Sequence, residues 1–230
     1  MTADPNIPKL AYGINEACKA YTLRDARKQK NIAALALEFT LLTAARTGEV
    51  VGATWAEVDL DKAVWTVPAC RMKAGREHRV PLSPRALDIL RKMKGLGGAW
   101  VFPASKGRQL SGMAMAILLR KIHPDVTVHG FRSVFRDWSA NCTSHPHEVC
   151  EMALAHTTAN KAEAAYRRND FFEERRRLME EWADYWASQA VIEAQNAKAN
   201  SARIAQSSNG VILQPDSGMA GSPFSTLIGE

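Results

Sequence analysis

A mainly α domain carrying one small antiparallel β-sheet is what the sequence predicts, on three observations. Apolar residues recur at helical spacing through most of the stretch from residue 31 to 197. One region, 62–80, replaces that rhythm with β-rich runs around a glycine. Outside the stretch the periodicity fades. Residues 1–30 mix Pro, Gly, Lys and Arg and read as an N-terminal remnant or linker, and residues 198–230, rich in Ser and Gly and nearly uncharged, read as a flexible tail.

Leu35, Phe39 and Leu42 form the first apolar stripe, running into Ala45-Arg46-Thr47-Gly48-Glu49, where Gly48 predicts a turn followed by a short helix. Lys62–Val67 then reads as a strand, and Arg71–Val80 as a hairpin with Gly75 at its tip and Lys73 beside it. Ser83-Pro84 supplies an N-cap and a first-turn proline for a helix with Ala86, Leu87, Leu90 and Met93 inward. Ser111 caps the next, whose face is Met115, Leu118, Leu119 and Ile122. His129 opens a helix with Phe131, Val134, Phe135 and Trp138 on one stripe, Pro146 starts another ending near Leu154, and a long helix over 171–195 aligns Leu178, Trp182 and Tyr185.

Composition narrows the class. Of 230 residues, 46% are hydrophobic and 23% charged, which suits a globular domain and excludes collagen-like, coiled-coil and wholly disordered chains. The longest apolar run, Met113–Leu119, is seven residues, far short of the roughly 18 a membrane span needs. MTADPNIPKL has neither a basic head nor an apolar core, so a cytoplasmic, reducing compartment is expected, with Cys18, Cys70, Cys142 and Cys150 as thiols. The net charge of +6 favours a polyanionic partner only weakly.

The chemistry-bearing residues are few. His129-Gly130-Phe131-Arg132 puts an imidazole and a guanidinium three apart at the positive end of a helix, a seat for an anion, though a capping His beside a solvated Arg has the same spelling. In T-A-A-R-T-G-E, Glu49 is placed to pin Arg46 through a bidentate pair. Arg71, Lys73, Arg76 and Arg79 against Glu77 leave the hairpin at +3, which fits a charge-protected edge strand and a nucleic-acid finger equally. His156 follows Leu154-Ala155, and Tyr166 stands in A-A-Y-R-R.

Taken in order, Arg46, Lys73, His129-x-x-Arg132, His156 and Tyr166 resemble the catalytic domain of the tyrosine recombinases, the phage integrase family. The words LTAARTGEV, GATWAEVDLD, RMKAGREHRVPLS, HGFRSVFRDWSA and EAAYRRNDFFEERR resemble the integrases of prophages and genomic islands, over about residues 32–187. Most of the wider family has Leu-Gly-His with the tyrosine nine residues on. Here Leu154-Ala155-His156 is followed ten residues later by Tyr166, as in the prophage subgroup.

The resemblance implies the DNA breaking-rejoining fold over 31–197 and strand cleavage and rejoining without metal or other cofactor. Tyr166 would attack the scissile phosphate to give a 3′-phosphotyrosyl bond. Arg46 and Arg132 would clamp the non-bridging oxygens, Lys73 would protonate the 5′-oxygen, His129 would accept or orient the tyrosyl proton, and His156 would donate to a phosphate oxygen. The implied partners are double-stranded DNA at attachment sites, further copies of the protein in a tetramer on DNA, and accessory DNA-bending proteins, with the enzyme at the nucleoid. Residues 1–30 are too short for the arm-site and core-binding domains that precede the catalytic domain in the family, so a catalytic domain apart from them is expected. A non-catalytic DNA-binding remnant and a type IB topoisomerase are the alternatives. Cys142, His145, His147 and Cys150 offer zinc-type ligands, but at a spacing no common zinc module uses.

Overall fold

The structure is a computed structural model that describes residues 6–19, 29–96, 98–156 and 170–209. Eight α-helices lie among these residues: α1 (Asn6–Lys19), α2 (Gln29–Leu42), α3 (Thr47–Val51), α4 (Pro84–Met93), α5 (Gly112–Ile122), α6 (Gly130–Cys142), α7 (His147–Ala153) and α8 (Phe172–Asn209). Three strands, β1 (Val58–Asp59), β2 (Val64–Val67) and β3 (His78–Pro81), form one antiparallel sheet in that order. A mainly α domain with a small antiparallel sheet is therefore what the chain adopts. No helix among the described residues is long and apolar enough to cross a membrane.

Helix α2 is apolar on every side and buried accordingly, from Ile32 through Leu42. Trp182 of α8 packs against it and donates its indole N–H to the Leu41 carbonyl at 2.9 Å. An aromatic cluster then ties α6 to α8, with Trp182 5.5 Å from Phe135 and 5.0 Å from Trp138 between ring centres. Helix α4 begins as its sequence predicts, Ser83 accepting from the Ala86 N–H at 3.4 Å with Pro84 in the first turn. Arg85 forks onto Glu38 of α2 with two 2.7 Å bonds, so the one buried carboxylate of α2 is neutralised by α4.

Three elements differ from expectation. Residues 6–19, read as part of a remnant or linker, form α1, which buries Ile7, Leu10, Ala11, Ile14 and Cys18. That stripe is interrupted in the sequence by Pro8 and Gly13. The glycine has a packing reason, because a Cβ there would overlap the Ile122 side chain of α5. The hairpin is not internal to 71–80. β2 pairs with β3, Trp65 opposite Val80 and Val67 opposite His78. Pro68, lacking an N–H, ends β2, and residues 68–77 are the connection. Finally, α8 continues to Asn209, so residues 198–209 of the expected tail are helical. Ala, Gln, Lys and Arg carry the helix there, and its side chains over 195–203 are exposed.

Candidate active site

Two helix ends are shaped by left-handed alanines, and one arginine joins them. At the end of α2 the Ala44 N–H bonds the Leu41 carbonyl at 3.1 Å with Ala44 at φ 48°, turning the chain so that Arg46 lies extended as the N-cap of α3. At the end of α7 the His156 N–H reaches back to the Glu151 carbonyl and the Ala155 N–H to that of Met152, both at 3.0 Å, with Ala155 at φ 49°. This is a Schellman turn, whose left-handed position favours glycine; alanine there costs about 1 kcal/mol. The Leu-Ala-His spelling thus keeps the geometry that Leu-Gly-His would give.

Arg132, on the first turn of α6, is only 6% exposed. Its Nη1 donates to the Ala44 carbonyl and its Nη2 to the Leu154 carbonyl at 2.5 Å, with His156 Nε2 3.2 Å from the same nitrogen. Both carbonyls stand two residues before a motif residue, Arg46 in one case and His156 in the other. One guanidinium therefore draws the three side chains to a common point. Burial, with Arg46 nearby, lowers the Arg132 pKa to about 10, which leaves it cationic at neutral pH.

Glu49 is buried and divides its carboxylate: Oε2 accepts from the Arg46 backbone N–H at 2.8 Å and Oε1 from Arg46 Nη1 at 2.9 Å. The expected bidentate clamp is thus half helix cap, half ion pair. Glu151 Oε2 lies 2.7 Å from His156 Nδ1, and its Oε1 accepts from Arg136 at 3.1 Å. Burial pushes the Glu151 carboxyl up, but the His156 hydrogen bond and the His156 and Arg136 charges outweigh it and hold it below the ordinary range. This network assigns the imidazole proton to Nδ1, leaving Nε2 an acceptor toward Arg132. With Nδ1 turned to Glu151, any hydrogen bond that His156 donates to a phosphate oxygen has to come from Nε2.

Lys73 is exposed in the β2–β3 connection, at the first corner of a tight turn closed by Gly75 N–H on the Met72 carbonyl at 3.0 Å. It lines an open cavity of about 590 Å³ with Arg46, Gly48, Arg71, Trp100 and Gln109. His129 stands exposed as the N-cap of α6, one helical turn before Arg132. The structure thus gathers Arg46, Arg132 and His156 and puts Lys73 in the same cavity as Arg46. Tyr166 lies outside the described residues. Among the described residues no three His, Cys, Asp or Glu side chains gather to hold a metal ion. Cys150 is buried in α7, while Cys142 is exposed and His145 pairs with Glu181 at 3.1 Å.

Sequence reasoning missed several of the site's supports, Arg71, Glu151, Arg175 and His78. Arg175, 2% exposed, donates to the Asp170 carbonyl at 2.8 Å and the Arg79 carbonyl at 2.5 Å, tying the start of α8 to β3. His78, on β3, is drawn down to a pKa of about 4, by burial first and then by the Arg175, Arg132 and Arg46 charges, against a hydrogen bond with the Ala153 backbone. It is neutral in the folded chain, whereas an unfolded histidine titrates near 6.5. The folded state binds the fewer protons, so this contribution is complete above about pH 6.5 and lost as pH falls toward 4, about 3 kcal/mol in all. In urea unfolding at a series of pH values, His78→Gln should flatten the acid limb of stability against pH. An unchanged limb would mean that other groups govern it.

Residues 13–173 match the phage integrase family. The chain is 37% identical over 150 residues to prophage integrase IntA of Escherichia coli strain K12, covering 63% of this chain and 36% of that protein. It is 32% identical over 172 residues to the integrase of enterobacteria phage P4, covering 66% and 39%. The chain therefore spans well under half the length of these curated relatives. Among solved structures, the integrase of mycobacterium phage Brujita superposes with a TM-score of 0.55 at 15% identity, over 78% of this chain and 58% of that one, and so shares its fold.

Proposed function

The chain belongs to the phage integrase family, and from that membership and the geometry of the site we propose that it is the catalytic part of a site-specific recombinase of a mobile element. Its substrate is double-stranded DNA at attachment sites, and it cuts and rejoins strands through a 3′-phosphotyrosyl bond on Tyr166. The observation that carries this reading is the Arg132 guanidinium, which brings Arg46 and His156 to one point by holding the Ala44 and Leu154 carbonyls. Two guanidinium groups and an imidazole suit a phosphate whose oxygens gain charge as a fifth ligand arrives. Arg46 and Arg132 bind the non-bridging oxygens, and His156 supports them. Lys73 protonates the departing 5′-oxygen, and His129 accepts or orients the tyrosyl proton. Bond energy is kept in the phosphotyrosine, so rejoining needs no nucleotide. Strand exchange requires further copies assembled on DNA, and the place of work is nucleoid DNA in the cytoplasm.

The test is covalent capture. A nicked duplex, its core sequence selected from a randomised pool, loses the short downstream fragment on cleavage and traps the enzyme on DNA. We expect an adduct that survives denaturing gels and forms equally in EDTA, because cationic side chains supply the charge that divalent ions give other nucleases. Retained DNA without adduct would make the chain a DNA-binding remnant and overturn the enzymatic reading.

A further inference from the structure

The Lys73 turn is held from behind by a side chain that the recombinase reading leaves without a task. Arg71 Nη1 donates to the Gly52 carbonyl and to both oxygens of Glu57, at 2.9 and 3.0 Å, while Nη2 donates to the Glu49 carbonyl. Glu57 also accepts from the Trp65 indole N–H of β2 at 3.0 Å. The guanidinium thus closes the carbonyl end of α3 and joins it to the sheet. Glu49 is the residue whose carboxylate holds Arg46, so it receives Arg46 through its side chain and Arg71 through its backbone.

The seat is fitted to the guanidinium. A Cβ at position 52 would lie 3.3 Å from both Cζ and Nη2 of Arg71 and 3.1 Å from the Gly48 carbonyl oxygen, so a side chain there would press the guanidinium to give way by a few tenths of an ångström. A simple ion pair with Glu57 would need neither the two carbonyls nor the glycine. Beyond Arg71 comes Met72, 6% exposed, and then Lys73 at the corner of the Met72–Gly75 turn. The backbone carrying Lys73 is therefore pinned by a clamped arginine and a buried methionine, and Lys73 lines the cavity that Arg46 also lines.

We propose that Arg71 is a positioning residue for leaving-group protonation, fixing the Lys73 turn to the Arg46 turn so that ammonium and guanidinium address the same phosphate. This rests on the reading of Lys73 as the general acid. In the step concerned, the Tyr166 oxygen forms a bond to phosphorus, the bond from phosphorus to the 5′-oxygen breaks, and a Lys73 proton passes to that oxygen. With sulfur at the bridging position the leaving thiolate departs without a proton, so neither the acid nor its positioning is then needed.

Adduct formation is timed on the selected nicked duplex with oxygen or sulfur at the bridging position, for the unmutated chain, Lys73→Ala, Arg71→Ala, Arg71→Lys and Gly52→Ala. Misplacement of about an ångström is worth about 10² in rate. Arg71→Ala should accordingly be about 10²-fold slow on oxygen and within about threefold of the unmutated chain on sulfur. Arg71→Lys, which reaches fewer of the acceptors, should be intermediate on oxygen and normal on sulfur. Gly52→Ala keeps Arg71 but crowds its guanidinium, and should be slowed on oxygen by less than Arg71→Ala and be normal on sulfur, which preserves the test if the alanine variant fails to fold. A folded Arg71 variant that is equally slow on both substrates, or of normal speed on oxygen, overturns the proposal while Lys73→Ala is still rescued by sulfur. If Lys73→Ala itself is not rescued, Lys73 is not the acid and both readings fall.

Discussion

Tyr166→Phe is expected to abolish the covalent DNA adduct while leaving DNA affinity within about fivefold, since one hydroxyl contributes about 1 kcal/mol or less of net binding. Phenylalanine keeps the ring and removes the only atom that can bond to phosphorus, so the loss is complete rather than graded. Tyr166 itself lies outside the described residues, but the chain is anchored on both sides of it. On one side His156 is held by Glu151 and Arg132. On the other, Asp170 Oδ2 takes bonds from Arg79 and Arg175, each at 3.1 Å, and Phe172 lies under the Arg79 guanidinium at 4.1 Å. Three residues lie between Tyr166 and Asp170, and the four Cα–Cα steps between them reach at most about 14 Å. The anchor is on β3, beside His78, whose neighbouring charges are those of Arg175, Arg132 and Arg46. An adduct that persists in Tyr166→Phe at the unmutated rate would assign the nucleophile elsewhere.

The parts of this site that sequence makes legible are those whose signal is local. Ser83-Pro84 announces the start of α4 because cap and first-turn proline act within four residues, and the stripe of Phe131, Phe135 and Trp138 orients α6 before any partner is known. The motif residues are recognisable by type and order, and Arg46, Arg132 and His156 do meet. What stayed hidden depends on distant chain. Arg71 and Arg175 look like solvated arginines in basic stretches, and only carbonyls of Gly52, Glu49 and Arg79 make them structural. His78 gives no sign in EHRVP of the burial and of the Arg175, Arg132 and Arg46 charges that strip its charge. The Arg71–Val80 stretch reads as a hairpin because Gly75 carries a turn, which it does at φ 63°, but strand pairing is set by Val64–Val67 across a ten-residue connection. Helix α1 hides behind a glycine whose purpose is visible only against Ile122.

Arg132 is where the site's architecture and its chemistry coincide, and its replacement should show both effects separately. Removing one charge-stabilising donor from a transition state lowers rates about 10²–10³-fold. Arg132→Ala should do at least that to adduct formation, because it also releases the Ala44 and Leu154 carbonyls that hold the Arg46 and His156 turns. Each buried carbonyl left without a partner costs about 1–3 kcal/mol, so urea unfolding should register a loss of a few kcal/mol as well. Arg132→Lys retains the charge but cannot satisfy two carbonyls and a phosphate oxygen with one ammonium in the required plane. It should keep most of the DNA affinity, which is governed by charge and falls with salt, and still lose about 10²-fold or more in cleavage rate. Guanidinium ion added to Arg132→Ala should restore part of the rate at concentrations too low to denature the chain, since it supplies the missing fork without the tether. If Arg132→Lys cleaves within about tenfold of the unmutated chain, the guanidinium is not required at the phosphate, and its contacts with Ala44 and Leu154 serve the fold alone.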